Sequence, residues 1–178
     1  MLHFFILKTC HLIVNKFNLG FLINQSKEYI IATSVSIVEC LVENYFFHSY
    51  KFSFTYIGVG LILMIIGHIF RIGAMFTAKR NFSHVIATRK KQHHMLVTDG
   101  LYSISRHPSY FGFFIWSIGT QVLCFNPVCF IGFCFALCSF FNDRIGYEEF
   151  TLIGFFGPEY IKYRNSTPVL IPCKFFLI

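Results

Sequence analysis

Two short polar clusters of the sequence contain side chains that bind and orient charged ligands. The first pairs Arg106 with His107, and the second places Arg144 four residues before Glu148. A guanidinium grips a carboxylate in a defined orientation and stays charged at neutral pH. If the two clusters meet in the folded chain, they form a binding site for a charged ligand.

The segment between the clusters, residues 108–142, brings them together if it folds as a hairpin. It has thirty-five residues and no ionised side chain. A straight helix of that length would measure roughly 50 Å, nearly twice the ~30 Å apolar core of a bilayer. Pro127 follows Asn126 near the middle of the segment, and proline disfavours helix at the residue before it. We therefore predict two short membrane helices whose polar ends return to one membrane face, where ionised groups need a partner or a function.

Each cluster also has a simpler structural explanation. Pro108, Ser109 and an interfacial Tyr110 can start a membrane helix in the absence of any ligand, although the free N–H groups of a helix start attract anions. Arg144 and Glu148 can pair along one helix for about 0.3 kcal/mol. Because both clusters lie at the ends of one membrane hairpin, a functional site is the favoured interpretation.

The composition indicates an integral membrane protein with a single domain over residues 1–178. Apolar residues make up 55% of the chain and charged residues 13%, which is too apolar for an ordinary soluble fold. The net charge of +7 does not indicate nucleic-acid binding, because the cations cluster in one connection between apolar segments, residues 79–106. The positive-inside rule places that connection in the cytosol. The seven cysteines show no metal-ligand spacing, so no metal site is expected.

The hydrophobic segments predict an all-α, polytopic membrane helical bundle with about four or five membrane helices. Residues 1–24 carry Lys8 and Lys16 on one helical face, so a membrane span and an interfacial helix both remain open for them. The other predicted elements are membrane helices at 29–47 and 52–78, a cytosolic cofactor-binding loop at 79–106, the helical hairpin at 108–142, and C-terminal catalytic helices with a tail at 143–178.

Local signals refine two of these elements. Gly58, Gly60 and Gly67 are interpreted as packing positions, since small residues let membrane helices approach closely. Gly157 and Pro158 are expected to separate two C-terminal helices. Tyrosines of the last helix are expected at the membrane interface.

Several blocks of the sequence, taken in order, resemble the isoprenylcysteine carboxyl methyltransferase family. The blocks cover about residues 18–172. They are Arg71-x-x-Ala74-Met75-x-Thr77-Ala78-x-x-Asn81-Phe82-x-His84, His94-x-Leu96-Val97-Thr98-x-Gly100-x-Tyr102, Arg106-His107-Pro108-Ser109-Tyr110-x-Gly112, Trp116-Ser117-Ile118-Gly119-Thr120-Gln121, Asn126-Pro127, Phe140-Phe141-x-Asp143-Arg144-x-x-x-Glu148-Glu149 and Phe155-Phe156-Gly157-x-Glu159-Tyr160.

The resemblance implies a multi-pass enzyme of the endoplasmic reticulum membrane whose active site faces the cytosol. Such an enzyme transfers a methyl group from S-adenosyl-L-methionine to the C-terminal carboxylate of a prenylated cysteine, in proteins such as small GTPases. The bilayer is then the second partner, and no nucleic acid is involved. Nothing in the sequence points to an oligomeric state or to a preference for farnesyl or geranylgeranyl chains.

The resemblance also implies roles for individual residues. Arg144 matches the family's position for the substrate carboxylate and is the expected catalytic and substrate-binding residue. The expected cofactor-binding residues are His94, Met95, Leu96, Val97, Tyr102, His107, Pro108, Ser109, Tyr110 and Glu148.

The sequence departs from the family pattern in three ways. Ala87 stands where some members have a cofactor-binding glutamine, and Gly146 and Tyr147 replace part of an acidic run. The first change is expected to weaken cofactor affinity, and the second removes helix-favouring charge near the site. The chain is also shorter than animal members, which implies either a compact form or residues preceding Met1.

Three other functions stay open. A membrane methyltransferase with a phospholipid amine as acceptor would use the same cofactor half, but Arg144 would then oppose a cationic acceptor. A membrane sterol-type reductase shares the arginine-histidine-proline-x-tyrosine-x-glycine motif and would need a nicotinamide. An inactive, truncated membrane partner would keep the fold alone.

Overall fold

A computed structural model describes residues 27–46, 54–90, 92 and 94–172 of the protein. All regular structure in these ranges is helical: α1 (Lys27–Phe46), α2 (Phe54–Ala78), a 3-10 turn (Lys79–Asn81), α3 (Leu101–Ile104), α4 (Pro108–Cys124), α5 (Pro127–Phe156) and α6 (Pro158–Ser166). The prediction for residues 1–24 and the last residues of the tail lie outside the described ranges.

Within the described ranges, two segments are long and apolar enough to cross a membrane by length and composition, Phe54–Asn81 and Pro127–Phe156. The predicted helices at 29–47 and 52–78 correspond to α1 and α2, with their ends shifted by one or two residues. Many large apolar side chains of α1, α2 and α5 are exposed, as is usual for helices that face lipid.

The predicted hairpin is formed by α4 and α5, and its turn lies at Phe125 and Asn126. Phe125 adopts the left-handed conformation, with φ of 51°, and Pro127 opens α5 at its first turn, where its missing N–H is not needed. The second helix does not stop near residue 142, as the two-short-helix prediction had it, but continues to Phe156. Because no proline lies between Pro127 and Gly157, the thirty residues of α5 form one helix about 45 Å long.

The backbones of α2 and α4 touch directly. A Cβ atom at Gly67 would lie 2.6 Å from the carbonyl oxygen of Gly112, and one at Gly112 would lie 2.6 Å from the carbonyl oxygen of Gly67. Only glycine allows so close an approach at these positions. A Cβ at Gly60 would likewise lie 2.6 Å from the backbone nitrogen of Leu123, so Gly60 and Gly67 are packing positions as predicted. A Cβ at Gly58 would meet nothing within 4 Å, so the prediction was wrong for Gly58.

A polar network holds α1 against the hairpin turn. The side-chain amide of buried Asn126 donates to the carbonyl oxygen of Ser36 at 2.9 Å, and the Ser36 hydroxyl donates to Gln121 at 2.8 Å. The carboxylate of Glu39 accepts the backbone N–H groups of Val128 and Cys129, at 2.8 and 2.7 Å. Glu39 thus caps the start of α5 from another helix, where the helix dipole favours negative charge.

The C-terminal segment folds back onto the start of α4. Gly157 has φ of 54° and separates α5 from α6 as predicted. The backbone N–H of Arg106 donates to the carbonyl oxygen of Pro168 at 3.1 Å. Val169 and Ile171 then pack into a core cluster with residues of α4 and α5.

We expect Glu39→Ala to lower the free energy of unfolding by about 1–2 kcal/mol, because two backbone N–H groups lose their acceptor. Glu39→Gln should restore part of the loss, since its amide oxygen still accepts. Thermal unfolding in detergent measures both variants. Exposed Asp143 on α5, the helix that Glu39 caps, provides the control Asp143→Ala, and equal destabilisation by both alanine variants would contradict the capping role.

Candidate active site

One cavity of about 640 Å³ opens where the loop after α2, the start of α4 and the middle of α5 meet. Its wall includes all eleven residues that the sequence analysis assigned to a site: His94, Met95, Leu96, Val97, Tyr102, His107, Pro108, Ser109, Tyr110, Arg144 and Glu148. The two polar clusters at the ends of the hairpin therefore face a common space. In size the cavity falls within the range of small-molecule sites.

Arg144 is half-buried on the cavity wall and is held from two sides. Its Nε donates to the hydroxyl of Tyr110 at 3.0 Å, and its Nη2 donates to the carbonyl oxygen of His84 in the loop. The guanidinium also lies 5.3 Å from the ring centre of Tyr110 and 5.8 Å from that of Phe140. These contacts use two of the three guanidinium nitrogens and orient the group toward the cavity.

Tyr110 connects Arg144 to the carboxylate of Glu148. Its hydroxyl accepts from Arg144 and also interacts with Glu148, one helical turn further along α5. The ring of Tyr110 stacks on that of His107, with 5.5 Å between the centres and 6° between the planes. The proximity of Tyr110 and Glu148 is the contact that the hairpin prediction requires.

His107 lies between two carboxylates at the start of α4. Its Nδ1 is 3.5 Å from Glu148 Oε2, and its Nε2 is 3.4 Å from Glu149 Oε1. Burial lowers the pKa of His107, but the hydrogen bonds and negative charges of Glu148 and Glu149 outweigh burial and raise it above its usual value of 6.5. The folded state therefore favours a protonated imidazole here.

Arg106, which also lines the cavity, belongs to a buried ion cluster with Glu149 and Arg164, two residues to which the sequence analysis assigned no individual role. Arg106 Nε donates to Glu149 Oε1 at 2.8 Å, and both side chains are less than a tenth exposed. Arg106 Nη1 donates to the carbonyl oxygens of Arg164 and Thr167, and Arg164 Nε lies 3.1 Å from Glu149 Oε2. The motifs quoted above contain Arg106 and Glu149, but only the fold shows that they pair with each other and with the C-terminal segment.

The last helix differs from its sequence-based interpretation. Tyr160 and Tyr163 were expected at a membrane interface, but their exposed fractions are 1% and 8%. Tyr163 donates its hydroxyl to the carbonyl oxygen of Tyr102. Burial raises the pKa of Tyr102 to about 12, with a further contribution from the charge of Glu148, so that this phenol stays neutral. Tyr163 therefore supports α3 through this hydrogen bond, and Tyr160 packs beside it at 6.0 Å between ring centres.

Hydrogen bonds attach the loop after α2 to α5. Lys90 Nζ donates to the carbonyl oxygen of Phe155 at 2.7 Å, and Arg144 donates to the carbonyl oxygen of His84. Within the loop, the Asn81 side chain accepts the backbone N–H of Met95 at 3.0 Å. Together they hold the loop over one side of the cavity.

Two of the departures from the family pattern concern individual residues, and only the one at residue 87 lies in the site. Ala87 lines the cavity, whereas Gly146 and Tyr147 are not among its lining residues, and Tyr147 is exposed. Only the change at residue 87 can therefore alter direct contacts with a ligand.

From the polar groups, an apolar arm of the cavity extends along α5 toward the hairpin turn. We define the arm by the lining residues of α5 between Val128 and Phe140, together with Ala32 and Val35 of α1. A cation, a carboxylate and an apolar groove thus share one space. This arrangement can hold an amphiphile by its acidic head and its apolar tail, with room for a polar ligand beside Glu148. Among the described residues, no group of three or more His, Cys, Asp or Glu side chains could hold a metal ion.

Comparison with known proteins gives one consistent family. Residues 60–154 match the model of the isoprenylcysteine carboxyl methyltransferase family. Protein-S-isoprenylcysteine O-methyltransferase of Saccharomyces cerevisiae is 48% identical over 159 residues, covering 86% of this chain and 66% of the relative. The human protein of that name is 44% identical over 86% of this chain and 54% of its own length. Protein-S-isoprenylcysteine O-methyltransferase B of Arabidopsis thaliana is 44% identical over 83% of this chain and 75% of its own length.

A solved structure of the eukaryotic intramembrane Ras methyltransferase, an isoprenylcysteine carboxyl methyltransferase, has the same fold. It superimposes with a TM-score of 0.84 at 40% sequence identity, covering 90% of this chain and 59% of that one. The chain spans between about half and three quarters of the length of the relatives it matches.

We expect the thermal stability of the protein to fall as the pH rises from 6.5 through the raised pKa of His107. Protonated His107 stabilises the folded state fully below its unfolded pKa, and this contribution is lost once the folded imidazole loses its proton. Melting temperatures measured in detergent across the pH range test this expectation. The variant His107→Gln should show a shallower decline, and an unchanged slope would contradict the assignment.

Proposed function

Because this chain belongs to the isoprenylcysteine carboxyl methyltransferase family, we propose that it transfers a methyl group from S-adenosyl-L-methionine to the C-terminal carboxylate of a prenylated cysteine. The product is the methyl ester. The observation that carries the proposal is the position of Arg144, which lies where the apolar arm joins the polar part of one cavity.

The acceptor needs no general base. A C-terminal carboxylate is already ionised near neutral pH, so the protein has only to hold it in line with the donated methyl group, at about 3–3.5 Å. Arg144 suits this task because its guanidinium binds a carboxylate in a fixed orientation and cannot protonate it. Tyr110 and the carbonyl oxygen of His84 hold that guanidinium in place.

The polar part of the cavity fits the methyl donor, whose sulfonium supplies an activated methyl group when bound. Glu148 Oε2 is buried, and its contact within the described part of the chain is a long one, 3.5 Å to His107 Nδ1. A buried carboxylate oxygen in this state favours a ligand that brings hydroxyl or ammonium donors. His94, Met95, Leu96 and Val97 are proposed to close over the donor from the loop side, since all four line the same cavity.

The apolar arm is proposed to receive the prenyl tail. Burial of a chain contributes about 0.8 kcal/mol per methylene, so the tail partitions into the bilayer and the groove while the carboxylate stays at the polar boundary. The substrates would be proteins ending in a prenylated cysteine, such as small GTPases. The proposed setting is the endoplasmic reticulum membrane, crossed by about four or five helices. The site would face the cytosol beside the basic loop.

The other candidate functions fit the site less well. A phospholipid amine acceptor is cationic before its reaction, and Arg144 would repel it at the position where the acceptor must lie. A sterol-type reductase would leave Arg144 and Glu148 without a partner in the reaction. An inactive membrane partner would not require the polar groups to converge on one cavity.

One set of assays separates these functions. Purified protein in detergent is incubated with S-adenosyl-L-methionine and either a farnesylated cysteine analogue or phosphatidylethanolamine, and methyl incorporation is measured. A parallel sample receives an unsaturated sterol and a reduced nicotinamide, and nicotinamide oxidation is measured. We expect methylation of the cysteine analogue alone. Isothermal titration with S-adenosyl-L-methionine tests the inactive partner, and absence of binding by folded protein would contradict all the methyltransferase proposals.

We expect Arg144→Ala to lower kcat/KM for the prenylcysteine by about 100-fold or more, because the group that orients the reacting carboxylate is lost. Binding of S-adenosyl-L-methionine should survive, since the cofactor residues are untouched. Initial rates and titration on the same sample measure the two quantities. Loss of cofactor binding and of activity to the same degree would count against this role for Arg144.

A further inference from the structure

The far end of the apolar arm has a defined position along α5. The lining residues of the arm stop at Val128 and Cys129, where the carboxylate of Glu39 accepts both backbone N–H groups. Asn126, just before this point, is buried and bonded to Ser36 of α1. Because α1 is joined to α5 at this point, the length of the arm is set by the helices themselves.

Distances along α5 can be compared with the lengths of prenyl chains. At about 1.5 Å per residue, Ala136 lies roughly 12 Å from Arg144 along the helix, Gly132 roughly 18 Å and Cys129 roughly 22 Å. From ordinary bond lengths, an extended farnesyl chain measures roughly 15 Å and a geranylgeranyl chain roughly 20 Å, with about 4 Å more from the cysteine carboxylate to the sulfur. A farnesyl chain bound from Arg144 would therefore end near Gly132, and a geranylgeranyl chain near Cys129.

The absence of a side chain at residue 132 keeps the outer part of the arm open. A Cβ atom built there meets no atom within 4 Å, so packing does not require glycine at this position. The backbone there is ordinary helix, so its conformation does not require glycine either. Yet Gly132 lines the cavity, and a large side chain would occupy the space next to it.

We propose that Gly132 is a specificity-determining position, and that the arm between Gly132 and Cys129 receives the fourth isoprene unit of a geranylgeranyl chain. This inference rests on the proposed function and adds to it a limit on chain length. With glycine at residue 132 the arm holds both chain lengths. A bulky residue there shortens it to the length of farnesyl.

The test compares farnesyl and geranylgeranyl cysteine analogues with purified protein. Gly132→Phe should lower kcat/KM for the geranylgeranyl analogue by about 10-fold or more and that for the farnesyl analogue by less than about 3-fold, since loss of a few methylenes from an apolar pocket has effects of this order. Ala136→Phe, which both chains pass, should lower both values. Gly154→Phe is the matched control, because this residue of α5 also has open space around it and does not line the cavity, and neither value should change.

Binding of S-adenosyl-L-methionine by each variant shows that it is folded. If Gly132→Phe does not bind the cofactor, Val128→Trp provides the test instead. Val128 is exposed and lies beyond the expected end of the farnesyl chain. Its replacement should therefore lower kcat/KM for the geranylgeranyl analogue only. Equal effects on both analogues, or no effect on either, would overturn the inference and leave the proposed function intact. A wild-type protein that binds cofactor but methylates neither analogue would overturn the proposed function, and the length limit with it.

Discussion

The buried carboxylate of Glu149 joins three parts of the chain that surround the cavity. It binds Arg106 at the start of α4 and Arg164 in α6, and it lies beside His107. Removing one member of such a cluster leaves an uncompensated buried charge, at a cost of about 3–5 kcal/mol. The cluster therefore fixes how far the start of α4 lies from the middle of α5. Tyr110, Arg144 and Glu148 project from these two helices, and their mutual contacts depend on that spacing.

At the opposite end of the hairpin, polar side chains again join separate helices, here through hydrogen bonds to backbone groups. There the Glu39 carboxylate binds free backbone N–H groups at the start of α5, and the Asn126 amide binds the backbone of α1. Asn126 is buried, and a buried polar group needs a hydrogen-bond partner within the protein. The two ends together set the distance between the polar head of the cavity and the far end of the apolar arm. The proposed limit on prenyl length is a consequence of that distance.

The arrangement of charge also separates the routes of the two proposed ligands. Arg144 lies at the junction, with the apolar arm on one side and Glu148 with the loop on the other. A lipid-anchored substrate would reach this junction from the bilayer and a polar cofactor from the side of the basic loop. Lys90 attaches the middle of that loop to the end of α5, and Asn81 joins two parts of the loop to each other, so the donor would be covered from the loop side.

Much of this organisation could be predicted because it depends on local signals. The length of the uncharged run and the proline after Asn126 determined the hairpin, and with it the convergence of His107 and Tyr110 with Arg144 and Glu148. The loop residues of the predicted site, such as His94, followed from the family resemblance. The sequence by itself also determined that the chain is helical and apolar, and its ordered motifs determined the family.

The tertiary structure alone decided the pairings between distant residues. Three examples are the pairing of Arg106 with Glu149, the capping of α5 by Glu39 and the burial of Tyr160. Each depends on how helices far apart in the sequence pack together. The periodicity of residues within one helix carries no information about that packing. The continuation of α5 past residue 142 was also not predicted. The polar residues after Asn142 suggest the end of a membrane helix, but no proline follows them to interrupt α5 before Gly157. A side chain's partner is set by the backbone geometry of the whole bundle, because charge and hydrogen bonding act over a few ångströms in space regardless of separation along the chain.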